Sequence, residues 1–232
     1  ACYQPLGRYW AIGPARALAR ALAPTRVRPN AITLLAATTM LCAAALVAWS
    51  PARDAGSGTS PFRIHLLTAT LLAAALVLDT ADGHLARLQG TCSEFGRWLD
   101  AVLDELCDMV LHAAIAFAAY RHTSEVIWLF IGMAYGMGKY LFFVITNEVN
   151  QSLPPGPHSA KADTRSRAEP GPVPTRAAIW MRRLGHADLR WHGWIVAAAL
   201  GQLAWLLAAY AVYYPVRALG SAARKAVRHA AA

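Results

Sequence analysis

Between residues 79 and 104 the chain reads DTADGHLARLQGTCSEFGRWLDAVLD, with four aspartates at regular intervals. Asp79 and Asp82 stand at i and i+3, Gly83 follows, and Ala86 and Arg87 come one turn later. Gly96, Asp100 and Asp104 repeat at i, i+4 and i+8, and Asp108 prolongs the stripe. On helices, each set falls on one side. Two such stripes facing one another gather four carboxylates, which repel strongly at low dielectric unless neutralised. Oxygen-preferring divalent cations such as Mg²⁺, Mn²⁺ or Ca²⁺ are the natural remedy. A pair of such ions can clamp a phosphate or pyrophosphate and stabilise the leaving oxygen of an in-line displacement. Arg87 suits a phosphate contact or an ion pair with an aspartate. Gly83 would let a ligand approach the backbone, and Gly96 would let two helices come close. The chemistry these residues suit is metal-assisted phosphoryl transfer.

The elements that must position them are apolar runs. Of the 232 residues, 56% are hydrophobic and only 15% charged. Spans are expected over about 31–49, opened by Pro29 and Asn30, and over 64–78, with the second helix continuing into the motif. Further spans are expected over about 101–120, 126–145 and 194–214, the last with Trp191, Trp194, Tyr213 and Tyr214 at its ends like an interfacial belt. The reading is an all-α polytopic membrane bundle of five clear spans. Residues 14–23 (PARALARALA) predict a short helix lying on the membrane surface. The boundaries are an N-terminal segment 1–28, a transmembrane catalytic domain 29–216 and a basic tail 217–232. Within the domain, residues 150–175 form a proline-rich loop, followed by a second surface helix over 176–190.

A formal net charge of +9 fits basic loops on an anionic leaflet better than a nucleic-acid partner. Cys2, Cys42, Cys92 and Cys107 have no metal-finger spacing, and Cys42 and Cys107 read as buried small residues. No secretory leader is evident, since arginines interrupt the first thirty residues. Lysine and arginine placement puts the N-terminal segment, the long loop and the motif on the cytoplasmic side. Five spans would then leave the basic tail outside, a conflict that a missed sixth helix would remove.

Asp79-x2-Asp82-Gly83-x2-Ala86-Arg87-x8-Gly96-x3-Asp100-x3-Asp104 resembles the complete signature of the CDP-alcohol phosphotransferase (CDP-alcohol phosphatidyltransferase) family. Pro29-Asn30-x2-Thr33 is similar to the family's usual start to its first helix. The resemblance implies an integral membrane enzyme of six helices, often a homodimer, using two divalent ions, Mg²⁺ or Mn²⁺. It would displace CMP from a CDP-linked donor, CDP-diacylglycerol in the leading reading, with an alcohol acceptor, in phospholipid synthesis. By motif position, Asp79, Asp82, Asp100 and Asp104 would be metal ligands, and Asp104 the general base on the acceptor hydroxyl. Gly83, Ala86 and Arg87, with Asn30 and Thr33, would line the CDP site. The run Leu99–Asp104 looks closer to inositol-type branches than to phosphatidylglycerophosphate synthases.

Other residues carry two readings. Lys139, well inside the fourth span, is a phosphate or acceptor contact, or else pairs with an aspartate. Asp108 supports the motif without being a ligand, and His84 and His112 are not ligands. Gly132 and Gly136 read as helix packing, and Trp191 and His192 as belt positions. The rival functions are a transferase with a soluble CDP-alcohol donor and, less favoured, a divalent-cation transporter. A transporter needs carboxylates reachable from both faces, and these cluster near one.

Overall fold

The computed structural model describes residues 6–50, 61–152 and 187–230, and among them every regular element is a helix. In chain order these are α1 (Gly7–Trp10), α2 (Ile12–Leu22), α3 (Pro29–Ala48), α4 (Pro61–Gln89), α5 (Glu94–Thr123), α6 (Ile127–Ser152), α7 (Ala187–Ala199) and α8 (Leu203–Ala230). Helices Pro29–Ala48, Phe62–Gln89 and Ile127–Ile145 are long and apolar enough to cross a membrane. The chain is an integral membrane helical bundle. The proline-rich loop beyond residue 152, the surface helix expected up to residue 186, and Cys2 lie outside the described residues.

Local signals explain the boundaries. Pro29 occupies the first turn of α3, after an extended Arg28. At the end of α4, Gly90 adopts φ +65°, and the Thr91 amide donates to the Ala86 carbonyl, closing the helix. Ser93 then caps α5, its Oγ accepting from the Gly96 amide at 3.0 Å, a contact worth about 1 kcal/mol. Ser124 in the left-handed region ends α5.

The expected fifth span over 194–214 is instead two helices. Gly201 adopts φ +68°, and the Gly201 and Gln202 amides cap the Ala198 and Ala197 carbonyls. A left-handed glycine stops a helix even inside an apolar run. Among the described residues the bundle therefore has six helices after α2, α3 to α8, of which α7 is the shortest at 13 residues.

Contacts fix their directions. Gln89 Nε2 at the end of α4 donates to the Val27 carbonyl just before α3, at 3.0 Å. At the opposite end, Arg121 Nη1 of α5 donates to the Ala48 carbonyl of α3 at 2.8 Å. Gly201 after α7 packs against His65 near the start of α4. Trp128 meets Trp205, and Gly138 meets Pro215, so α6 and α8 run in the same direction. The six helices alternate, and α8 ends on the side that carries the motif. This removes the conflict over the basic tail, which is also helical without a break at residue 217.

Two apolar clusters hold the bundle. The larger joins small residues of α3 (Ala37, Ala43, Ala44) to Leu111 and Ile115 of α5, Trp194 of α7, and Leu207, Tyr210 and Tyr214 of α8. Trp194 is only 1% exposed and Tyr214 3%, so neither is a belt residue. Both face the centre where α5 to α8 meet. Cys107 is buried as expected, whereas Cys42 is exposed on the outer face of α3. In the smaller cluster, Ala15 and Ala19 of α2 press against Ile32, Ala81 and Leu85. The surface helix begins at Ile12, slightly earlier than expected, and lies along the motif-bearing end of α4. Asp188 of α7 fixes the N-terminal segment, its carboxylate accepting from the Leu6 and Gly7 amides at 2.6 and 3.1 Å.

Candidate active site

The last third of α4 presents Asp79, Asp82, Gly83, Ala86 and Arg87. Four residues, 90–93, turn the chain, and the first turns of α5 present Gly96, Asp100 and Asp104. Carboxylate oxygens of Asp79, Asp82 and Asp100 all lie within 4.8 Å of one another. Asp82 is 7% exposed, and Thr33 Oγ1 of α3 donates to its Oδ2 at 2.6 Å. Asp100 Oδ1 is buried and has no hydrogen-bond partner. Buried carboxylate oxygens are normally satisfied, and three converging carboxylates repel without a counter-charge. The donor set is all oxygen and anionic. These residues fit a hard divalent cation.

Asp104 stands one turn beyond Asp100 and is not among the three clustered carboxylates. It lines a narrow crevice of about 30 Å³ together with Asp79, Thr33, Cys107 and Trp191. Trp191, expected at a belt position, therefore faces the site. His192 is likewise engaged within the protein, its Nε2 accepting from Trp10 Nε1 at 2.7 Å. Asn30 approaches from α3, and a Cβ on Gly96 would stand 3.3 Å from Asn30 Oδ1 and 3.1 Å from Ser93 Oγ. A side chain at Gly96 would crowd this junction of α3 and α5. Arg87 extends beside Gly83, and its Nη2 lies 3.2 Å from His84 Nδ1. It has no carboxylate within ion-pair distance among the described residues.

Asp108 and Lys139 belong to a second polar group. Lys139 Nζ donates to Asp108 Oδ2 at 2.6 Å and to Glu105 Oε2 at 2.7 Å. Tyr135 Oη donates to the same Asp108 oxygen at 3.0 Å, and Arg190 Nη2 lies 3.9 Å from Asp108 Oδ1. Arg190 also donates to Tyr214 Oη at 2.7 Å. Lys139 is thus ion-paired with Asp108 and Glu105, neither of them one of the four motif aspartates. His112 is buried, contacts the Asp108 carbonyl and stacks on Tyr135 at 4.0 Å. The sequence reading singles out neither Tyr135 nor Arg190 for this group, and takes Tyr214 for a belt residue. Tyr135 and Lys139, two polar groups one turn apart in an apolar span, were the available signal.

Residues 26–210 match the sequence profile of the CDP-alcohol phosphatidyltransferases. The chain belongs to the CDP-alcohol phosphatidyltransferase family. It is similar to archaetidylinositol phosphate synthase of Aeropyrum pernix, at 34% identity over 90 residues, which are 39% of this chain and 40% of that protein. The chain thus aligns with less than half the length of this curated relative.

The fold of this family member also resembles solved structures of Mycobacterium tuberculosis phosphatidylinositol phosphate synthase. The structure with CDP-DAG bound matches with a TM-score of 0.53 and 19% identity, over 89% of this chain and 92% of that one. The complex with manganese and citrate matches with a TM-score of 0.51 and 19% identity, over 89% and 88%.

Of the glycines expected at packing positions in the family member, Gly132 sits at a close approach. A Cβ there would fall 2.6 Å from that of Ala116. Gly136 faces open space. Gly138 of α6 makes the tighter contact, since a Cβ would lie 2.5 Å from the Pro215 ring of α8.

Proposed function

We propose that the chain transfers a phosphatidyl group from CDP-diacylglycerol to a hydroxyl of a small polar alcohol and releases CMP. The observation that carries this reading is the convergence of Asp79, Asp82 and Asp100 within 4.8 Å, with Asp104 one turn away on the crevice wall. The first three would hold one or two divalent ions, Mg²⁺ or Mn²⁺, with Asp104 touching the second. Bound there, the metal supplies charge neutralisation for the pyrophosphate and for the departing CMP oxygen.

The protein's own residues orient the reactants. Asp104 accepts the proton of the acceptor hydroxyl, whose oxygen bonds to the β-phosphorus as the bond to the CMP oxygen breaks. Arg87, with no carboxylate within ion-pair distance among the described residues, contacts the diphosphate, and Gly83 leaves room for it. Thr33 fixes Asp82, and Asn30 closes the α3 side. Holding the two reactants in line supplies much of the rate enhancement.

The names of the similar proteins favour an inositol phosphate as acceptor and CDP-diacylglycerol as donor. The active site faces the cytoplasm. The arginine-rich N-terminal segment, the motif turn and the end of α8 lie at one end of the bundle, and the positive-inside rule favours the cytoplasm for that end.

The test is CMP release by the full chain in lipid nanodiscs, with CDP-diacylglycerol and inositol phosphate or other polyols, and with a CDP-alcohol donor in a separate arm. Asp104→Asn should lower the rate roughly 10²–10⁴-fold with metal binding largely kept. Asp100→Asn should lower metal binding as well, and chelation should abolish turnover. Full activity of folded Asp100→Asn would sink the proposal.

A further inference from the structure

A cavity of about 340 Å³ lies on the flank of α4 and is lined by Arg16, Arg20, His84 and Leu88. None of the four aspartates lines it. Its walls follow from the seam between α2 and α4. Ala15 and Ala19 bury against Ala81 and Leu85, so the residues that follow them on α2, Arg16 and Arg20, are carried to the rim. His84 and Leu88, also one turn apart, form the facing wall, and Arg87 Nη2 reaches His84 Nδ1 at 3.2 Å.

Two guanidinium groups therefore line one opening, with Arg87 behind its His84 wall, and no carboxylate among the described residues lies within ion-pair distance of Arg16 or Arg20. Arg16 and Arg20 lie at i and i+4, where like charges destabilise a helix. Arg20 Nε donates to the Arg16 carbonyl at 3.3 Å. Such a group lacks its counter-anion. The volume falls within the roughly 300–1,000 Å³ of ligand pockets. Leu88, 55% exposed, adds an apolar side, and α2 belongs to the surface of a membrane protein. The matching ligand is a phosphate group carrying an apolar tail.

We propose that Arg16 and Arg20, with His84, bind the phosphate headgroup of an anionic phospholipid at a site separate from the aspartate cluster. Guanidinium forks take phosphate oxygens in pairs, and the neighbouring Leu88 meets the start of an acyl chain. Arg87 also borders Gly83, so an occupied cavity holds Arg87 beside the diphosphate position. This last link rests on the proposed transfer reaction, whereas the lipid site itself does not.

The experiment is native mass spectrometry of the full chain, counting phosphatidylglycerol retained in competition with phosphatidylcholine. R16Q/R20Q should lower preferential retention of phosphatidylglycerol by roughly tenfold, from the loss of two cationic contacts at a membrane surface. Arg97→Gln, at an exposed arginine paired with Glu94, should leave it unchanged. Equal loss in Arg97→Gln would show a diffuse charge effect and overturn the proposal. Displacement of phosphatidylglycerol by millimolar inorganic phosphate would reassign the site to a soluble anion. CMP release in pure phosphatidylcholine should survive in R16Q/R20Q. Its loss there with lipid retention unchanged would assign both arginines to the reacting donor and overturn the accessory site.

Discussion

Thr33 Oγ1 of α3 donates to Asp82 Oδ2 of α4 at 2.6 Å, tying the first long helix to the carboxylate cluster. Hydrogen bonds to a charged, buried acceptor are worth about 1.5–3 kcal/mol. This one also restrains the orientation of the Asp82 carboxylate. Residues that orient metal ligands in this way typically change metal affinity 10- to 100-fold. Thr33→Val should therefore raise the Mn²⁺ or Mg²⁺ concentration for half-maximal CMP release by about that factor. Turnover at saturating metal should change much less. An unchanged metal midpoint would mean that Thr33 serves packing alone.

Lys139 pairs with two acids of different burial, which separates their contributions. Asp108 is almost fully enclosed, whereas the Glu105 side chain is 56% exposed. Breaking a buried pair by removing one partner costs about 3–5 kcal/mol. Lys139→Met should lower stability by that order in a thermal melt in detergent. Glu105→Gln should cost under about 1 kcal/mol, as surface pairs do. Similar losses from both would contradict the assignment of Asp108 as the principal partner.

Gly138 and Gly136 share α6 but face different surroundings. Gly138→Ala would drive a methyl into the Pro215 ring, and overpacking of this kind costs about 1–3 kcal/mol. Gly136→Ala meets nothing within 4 Å and should be neutral, or gain up to roughly 1 kcal/mol in helix propensity. Melting curves of the two variants give the comparison. A destabilised Gly136→Ala would place an unseen neighbour on that face.

Six alternating helices set the side of each exposed cysteine position. Cys92 is exposed in the turn between α4 and α5, and Ala226 is exposed near the end of α8. In a background lacking the other cysteines, Cys92 and an Ala226→Cys variant should react with an impermeant maleimide from the same side. Labelling from opposite sides would restore an odd number of crossings.

The aspartate cluster was legible because its ligands are close in sequence and helical periodicity alone sorts them onto two stripes. The family signature added roles that spacing does not carry. The break at Leu200–Gln202 was not legible, because Gly201 lies in a run that stays apolar and aromatic from Trp194 to Tyr214. Nothing in hydropathy marks a left-handed turn inside such a run. Aromatic belts and aromatic cores also share a composition, so Trp194 and Tyr214 looked like the former and proved to be the latter. The partners of Asp108 stand 27, 31 and 82 residues further along the chain, at Tyr135, Lys139 and Arg190. Only tertiary packing brings them together.

The turn at residues 90–93 has a further consequence. Both walls of the carboxylate cluster come from the 22 contiguous residues 79–100, folded as one helical hairpin. Closing so short a loop costs little chain entropy. The cage can therefore assemble before α6, α7 and α8 have docked. Those later helices contribute Lys139, Arg190 and Trp191 but none of the clustered carboxylates. A chain built this way can exchange its second half, and with it the shape offered to an acceptor, while the reacting centre stays intact.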